Sequence, residues 1–345
     1  MHYQNLGNTN IKVSAICLGT MTFGGQNTQA DAFKQLDYAI DRGINFIDTA
    51  EMYAIPTSPN TYGDTETIIG QWLQKSGKRN DIILATKVAG PSRIKHIRAG
   101  KARLDKANIT AAIEGSLQRM RTDVIDLYQL HWPDRNTNFF GSLSYQHNKQ
   151  ADETPIEETL LTLSDLVSAG KVRAIGISNE TAWGTMKFLQ LAEQMGLEKI
   201  ASIQNPYNLL NRSFELNLAE IAHRENLSLL AYSPLAFGAL TGKYRHAQRP
   251  ENARCTLFSE YQRYFKPAAI DAIEAYAGLA EQFDLNLTEM ALACIYQQTF
   301  VTSTIIGATS LNQLQQNIDS LSIELPDELN QELELIHAQY TFPAP

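Results

Sequence analysis

Short runs of apolar and β-branched residues alternate along the chain with stretches whose apolar positions recur every three or four residues. The runs predict eight strands: Ala15–Leu18, Asn45–Asp48, Ile82–Lys87, Ile125–Leu130, Val172–Ser178, Ser202–Asn205, Ser228–Tyr232 and Ser303–Ile306. Between them, Phe33, Leu36 and Ile40 fall on one helical face, as do Ile109, Ile113, Leu117 and Met120. Phe214, Leu218 and Ile221 repeat the spacing, and so do Leu311, Leu314, Ile318 and Leu321. A single apolar stripe suits a helix that covers one face of a sheet. Thr110 and Ser213 are the polar residues expected near the starts of two of these helices. A further helix is expected over Glu328–Gln339.

Strands alternating with helices predict a parallel α/β fold. An open doubly wound sheet and a closed (β/α)8 TIM barrel both fit; eight strands favour the barrel. Many strands end in a polar or titratable residue: Asp48, Lys87, His131, Ser178, Asn179, Gln204, Tyr232. In a parallel barrel all strand C-termini open on one face. Residues far apart in sequence then converge in space, which a site explains better than a set of independent loop residues. The irregular stretches Ala54–Tyr62, Val88–Ala107, Pro133–Thr154 and Ala236–Tyr264 follow strands and are expected to rim that face.

Composition narrows the picture. The 345 residues would make two domains of ordinary size, but one barrel takes about 250. The surplus divides among an N-terminal segment, extended rim loops and the additional C-terminal helix, so residues 1–345 read as a single domain. The net charge of −8 argues against nucleic acid or an anionic membrane as a partner. Cys17, Cys255 and Cys294 cannot form a closed disulfide set, which suits a reducing compartment. The N-terminus lacks a signal-peptide layout, and no apolar run approaches the roughly 18 residues of a membrane span. The expected location is the cytoplasm.

Absent motifs matter too. No two glycines are spaced G-x-G, so there is no Rossmann fingerprint. The P-loop, the G-x-S-x-G elbow and paired helical histidines are also missing. What remains is the strand-end series. FIDTAEMY carries Asp48 and Tyr53, ILATK ends in Lys87, and LYQLHW presents His131.

These segments resemble the aldo-keto reductases, and within them the bacterial Tas-type proteins. The likeness spans nearly the whole chain: CLGTMTFGG, FIDTAEMY, ATK, DLYQLHWPD, IGISNE, IQNPYNLLNRSFE, LAYSPLAFGALTGKY and IIGATSLNQLQQN, in that order. It implies a (β/α)8 barrel and reduction of aldehydes or ketones by a nicotinamide cofactor. By the resemblance, Tyr53 gives a proton to the carbonyl oxygen. A free phenol has a pKa of about 10; the Lys87 ammonium would lower it, and Asp48 would hold Lys87. His131 would orient the carbonyl as a neutral donor. Such a mechanism needs no metal, and no metal-ligand spacing is present.

The resemblance also implies the cofactor contacts. Ser178, Asn179 and Gln204 would bond the carboxamide, and Tyr232 would stack on the nicotinamide. Thr20 and Met21 belong to the same group. The loop from Ser233 to Lys243, with Leu235, Gly238, Leu240 and Gly242, would wrap the pyrophosphate. Arg254 stands where relatives place an arginine near the adenosine 2′-phosphate. Gly307, Thr309, Gln313 and Asn317 match a cofactor-binding stretch, but Gly307 and Gln313 replace the lysine and arginine many members carry. A branch that includes the potassium-channel β-subunits has a similar pattern and uses NADPH. NADPH is therefore expected, gripped by Lys243, Arg254 and Thr309, with NADH the alternative.

Met21, Phe23 and Trp132 are candidates for the substrate opening, although Phe23 fits equally well as packing at the barrel mouth. Phe139, Phe140 and Tyr145 on one loop suit a lid, a partner surface or packing against the barrel. A small carbonyl compound is the expected substrate. The competing reading is a cofactor-loaded redox-sensing accessory or binding subunit with low turnover; a phosphate-binding barrel isomerase is a third.

Overall fold

The computed structural model describes residues 1–148 and 152–345; residues 149–151 of the expected loop Pro133–Thr154 lie outside the described residues. A short antiparallel hairpin comes first, β1 (Tyr3–Asn5) with β2 (Lys12–Ser14). Eight parallel strands follow: β3 (Ile16–Gly19), β4 (Phe46–Asp48), β5 (Ile83–Val88), β6 (Ile125–Leu130), β7 (Val172–Ser178), β8 (Ser202–Gln204), β9 (Ser228–Ala231) and β10 (Val301–Ile306). Each pairs with the next, and β10 closes on β3, giving a (β/α)8 barrel. All eight expected strands form, within one or two residues of the expected ends.

The hairpin closes the N-terminal end of the barrel. Leu6, Ile11 and Val13 pack with Cys17, Ala85, Leu127, Ala174 and Leu230 in one buried cluster. Gly7 makes the approach possible. Its φ is +53°, and a Cβ there would fall 2.4 Å from the Ala201 carbonyl oxygen. The opposite end is left open, and there the strand-terminal polar residues gather.

Helices sheathe the barrel with their apolar faces inward. Phe33, Leu36 and Ile40 lie in the helix Gln29–Asp41, whose Thr28 cap forms a capping box with Asp31. Ile109 to Met120 lie in Lys106–Met120. Thr110 is inside that helix and not at its start; Asp105 caps it by accepting from Asn108 N. The third predicted helix is broken. Phe214 falls in a 3-10 turn, Ser213–Leu216, and Leu218 opens a separate helix, Leu218–Arg224, with non-helical Asn217 between them. The Ser213 hydroxyl bonds Asn211 Oδ1 and does not cap. Ser310 caps Leu311–Asp319, and Leu321 lies beyond it in a 3-10 turn.

A short helix, Arg254–Leu257, and two longer ones, Pro267–Gln282 and Leu287–Tyr296, separate β9 from β10. With the C-terminal helix Asp327–Gln339 the two longer helices build a second core around Tyr264, Tyr276, Met290 and Leu329. That core supports the long loop after β9. Among the described residues no helix is long and apolar enough to cross a membrane. All three cysteines are free and buried.

Candidate active site

Asp48 is the last residue of β4, Lys87 lies one residue before the end of β5, and His131 directly follows β6. The sheet bonding runs on past the strands: Thr49 N donates to Ala85 O, Glu51 N to Lys87 O and His131 N to Val88 O. This extension fixes the start of the loop that carries Tyr53. Lys87 Nζ donates to Asp48 Oδ2 at 2.5 Å and to Thr49 O at 2.7 Å. It lies 5.1 Å from the Tyr53 ring centroid. Tyr53 meets the His131 ring edge-on, with centroids 5.7 Å apart. Lys87 is wholly buried behind Tyr53, whereas Asp48, Tyr53 and His131 border the open cleft.

The electrostatics follow from burial. Burial pulls the Lys87 pKa down, but Asp48 and Tyr53 outweigh it, and the net shift is upward. Lys87 therefore stays an ammonium. Burial pushes the Tyr53 phenol up, and Asp48 adds to this; Lys87 pulls the other way without winning. The expectation of a lowered phenol pKa is thus corrected: Lys87 moderates a rise. Burial, followed by Lys87, drives the His131 pKa well down, so its imidazole is neutral at pH 7. His131 Nδ1 is buried and has no partner among the described residues.

Glu51, two residues before Tyr53, is a feature the sequence reading missed. Its carboxylate accepts from Ala89 N, Tyr62 OH and Arg98 Nη1. The Tyr53 loop is thereby tied to the loop after β5. Gln129 on β6 was also missed: it donates to Asp48 Oδ1 at 3.1 Å.

The cleft measures about 1550 Å³. That exceeds the usual 300–1,000 Å³ of small-molecule pockets and suits a long ligand together with a second one. Thr20, Met21, Ser178, Asn179, Gln204, Tyr232, Ser233, Leu235 and Gly238 line it. Lys243, Arg254, Gly307, Thr309, Gln313 and Asn317 line it too. Leu240 and Gly242 do not. Leu240 turns inward and is fully buried in the second core, because the loop is a 3-10 coil and not an extended wrap. Gly242 ends that coil at φ +76°.

Ser178, Asn179, Gln204 and Tyr232 are already bonded to one another. Ser178 Oγ donates to Gln204 O, Asn179 Nδ2 to His131 O, and Tyr232 OH to Asn179 Oδ1 at 2.7 Å. At the far arm, the Lys243 stem crosses Gly238, where φ is +90° and a Cβ would fall 2.6 Å from Lys243 Cε. Burial and neighbouring Arg254 both lower the Lys243 pKa. Arg263 and Lys266 line the cleft as well, neither foreseen. None of these four cations reaches a carboxylate within ion-pair distance among the described residues. Thr309 N and its hydroxyl both donate to Gln313 Oε1, so Gln313 closes a turn at the helix start.

The other arm is apolar. Met21, Met52, Ile94, Trp132, Phe139 and Phe140 line it. Phe23 does not; it is fully buried and packs the barrel mouth. Phe140 meets Trp132 and Phe139 edge-on, so these two loop aromatics fold back over the cleft. Tyr145 instead points outward, 56% exposed. Among the described residues no cluster of three or more His, Cys, Asp and Glu is arranged to hold a metal ion.

Known proteins match this chain closely. The profile described as "Aldo/keto reductase family" covers residues 15–338. "Protein tas" of Escherichia coli is 50% identical over 347 residues, all of both chains. An "Aldo-keto reductase" of Babesia bovis is 39% identical over 76% of this chain and 98% of its own. The "NADH-specific methylglyoxal reductase" of Escherichia coli is 31% identical over 93% of this chain and 94% of its own.

Proposed function

Because this chain belongs to the aldo/keto reductase family, we propose that it reduces aldehydes or ketones to alcohols with NADPH, using Tyr53 as the proton donor. The observation that carries this reading is the juxtaposition of Tyr53 with the buried Asp48–Lys87 pair and neutral His131 at the cleft. In this reading residues 1–345 are one cytoplasmic reductase domain, with neither nucleic acid nor membrane as a partner.

The residues present fit a nicotinamide dinucleotide. The four unpaired cations suit a polyanion, and Gly238 lets the backbone come close. Lys243, Arg254 and Thr309 are the groups for a 2′-phosphate. One relative is named for NADH, so the choice between the two cofactors rests on these residues.

When bound, the cofactor supplies the hydride that reaches the carbonyl carbon. Tyr53 gives its proton to the carbonyl oxygen as negative charge grows there. The raised phenol pKa keeps that proton in place until it is needed. Lys87 then stabilises the phenolate left behind, and Asp48 holds Lys87 in position. His131 is neutral, so it orients the carbonyl with a ring N–H without adding a competing charge. Phe139, Phe140 and Trp132 present an apolar wall to the substrate at that end.

The test is a titration followed by turnover. NADPH should quench the fluorescence of Trp132 beside the cleft, and a panel of aldehydes should then drive NADPH oxidation. Absence of both quenching and oxidation overturns the proposal. Tight binding with negligible oxidation across the panel favours the accessory-subunit reading instead.

A further inference from the structure

The interior of a barrel is ordinarily filled by layers of bulky apolar side chains from alternate strands. Here β4, β6 and β8 contribute Asp48, Gln129 and Gln204 to one polar triangle. Gln129 is fully buried. Its Nε2 donates to Asp48 Oδ1 at 3.1 Å, and its Oε1 accepts from Gln204 Nε2 at 3.1 Å. Gln204 Nε2 also donates to Asp48 Oδ1 at 2.9 Å. The barrel leaves room for this side chain. Gly176 on the adjacent strand β7 carries no Cβ, and one there would lie 3.2 Å from Gln129 Cγ and 2.5 Å from Ser202 Oγ.

A buried amide is costly unless bonded, and the bonds here define its orientation. An ionised carboxylate only accepts, so both amides must turn their NH2 groups toward Asp48. Both hydrogens of Gln204 Nε2 are then committed, one to Asp48 and one to Gln129. The oxygen of Gln204 has no partner among the described residues, and Gln204 lines the cleft. Toward a ligand, Gln204 therefore accepts and does not donate.

We propose that Gln129 is a positioning residue: it fixes the Gln204 amide with its oxygen toward the cleft and makes the site select a ligand amide N–H. This rests on the nicotinamide reading above, in which that N–H belongs to the carboxamide. Removing Gln129 leaves one Gln204 hydrogen without a partner, so the amide hangs on its single bond to Asp48 and can tilt away from the ligand-binding geometry.

The experiment compares NADP+ with its 3-acetylpyridine analogue, in which the carboxamide NH2 becomes a methyl group. Dissociation constants come from tryptophan quenching of the wild type, Gln129→Leu and Gln129→Met, with melting curves to establish folding. The wild type should prefer NADP+. In both variants that preference should shrink by roughly tenfold, the worth of one hydrogen bond. Folded variants that keep the wild-type ratio overturn the proposal, as does an equal loss for both nucleotides. Failure of both variants to fold also overturns it and leaves Gln129 as a packing residue of the barrel. A wild type that binds neither nucleotide overturns the cofactor reading itself, which separates the two failures.

Discussion

Lys87 Nζ lies 2.5 Å from Asp48 Oδ2 inside the barrel, and neither side chain is reached by more than a trace of solvent. An ion pair so buried is held by mutual dependence. Each partner removes the cost of burying the other, and two glutamine amides occupy the second carboxylate oxygen.

Lys87→Met breaks this pair from one side. It leaves Asp48 as an uncompensated buried charge, which costs about 3–5 kcal/mol. Urea unfolding should show that loss, and carbonyl reduction should fall as well. A loss of stability below about 1 kcal/mol would mean that Asp48 finds another partner, against the geometry described.

The pH dependence has a definite sign. The folded His131 pKa lies well below the ordinary value of 6.5. As pH falls through about 6.5, the unfolded imidazole takes up a proton that the folded one does not. Stability should therefore drop on acidification, by at most about 1.4 kcal/mol per pH unit from this group. His131→Asn should flatten that part of the curve of unfolding free energy against pH. The reduction rate should show no His131 ionisation from pH 7 upward. Its decline from loss of the Tyr53 proton should lie above pH 10, since burial raises that phenol.

Lys243 and Arg254 carry the cofactor preference in this account. Arg254→Met should weaken NADPH binding by about tenfold, the scale of one charge-assisted contact, while NADH binding changes little. Fluorescence titration with both nucleotides measures it. Equal losses for the two would place Arg254 elsewhere than at the 2′-phosphate.

The strands were legible because each is a short β-branched or apolar run, and their polar last residues pointed to the open face. Local chemistry decided the rest. Asn217 broke a stripe whose spacing looked helical, and Asp105 captured a cap assigned to Thr110, because capping depends on where the first turn begins. Leu240 matched a family motif, yet a 3-10 coil with positive φ at Ala236 and Phe237 turned it into the core. Arg263 joins the cleft from a loop whose path no periodicity records. Gln129 left a readable trace: a polar residue two places before His131, inside the run IDLYQL. Alternation puts both on one face of the strand. Its partners, Asp48 and Gln204, are visible only once the barrel closes.

The most direct test of the account is the single-turnover rate of hydride transfer in Tyr53→Phe, followed by stopped flow with NADPH prebound and an aldehyde as the second reactant. Tyr53→Phe keeps the ring over Lys87 and removes only the hydroxyl. The account predicts NADPH affinity within about twofold of wild type and a transfer rate lowered by at least about 100-fold, in the range of a lost general acid. A variant that binds NADPH normally and reduces the aldehyde at the wild-type rate would contradict it.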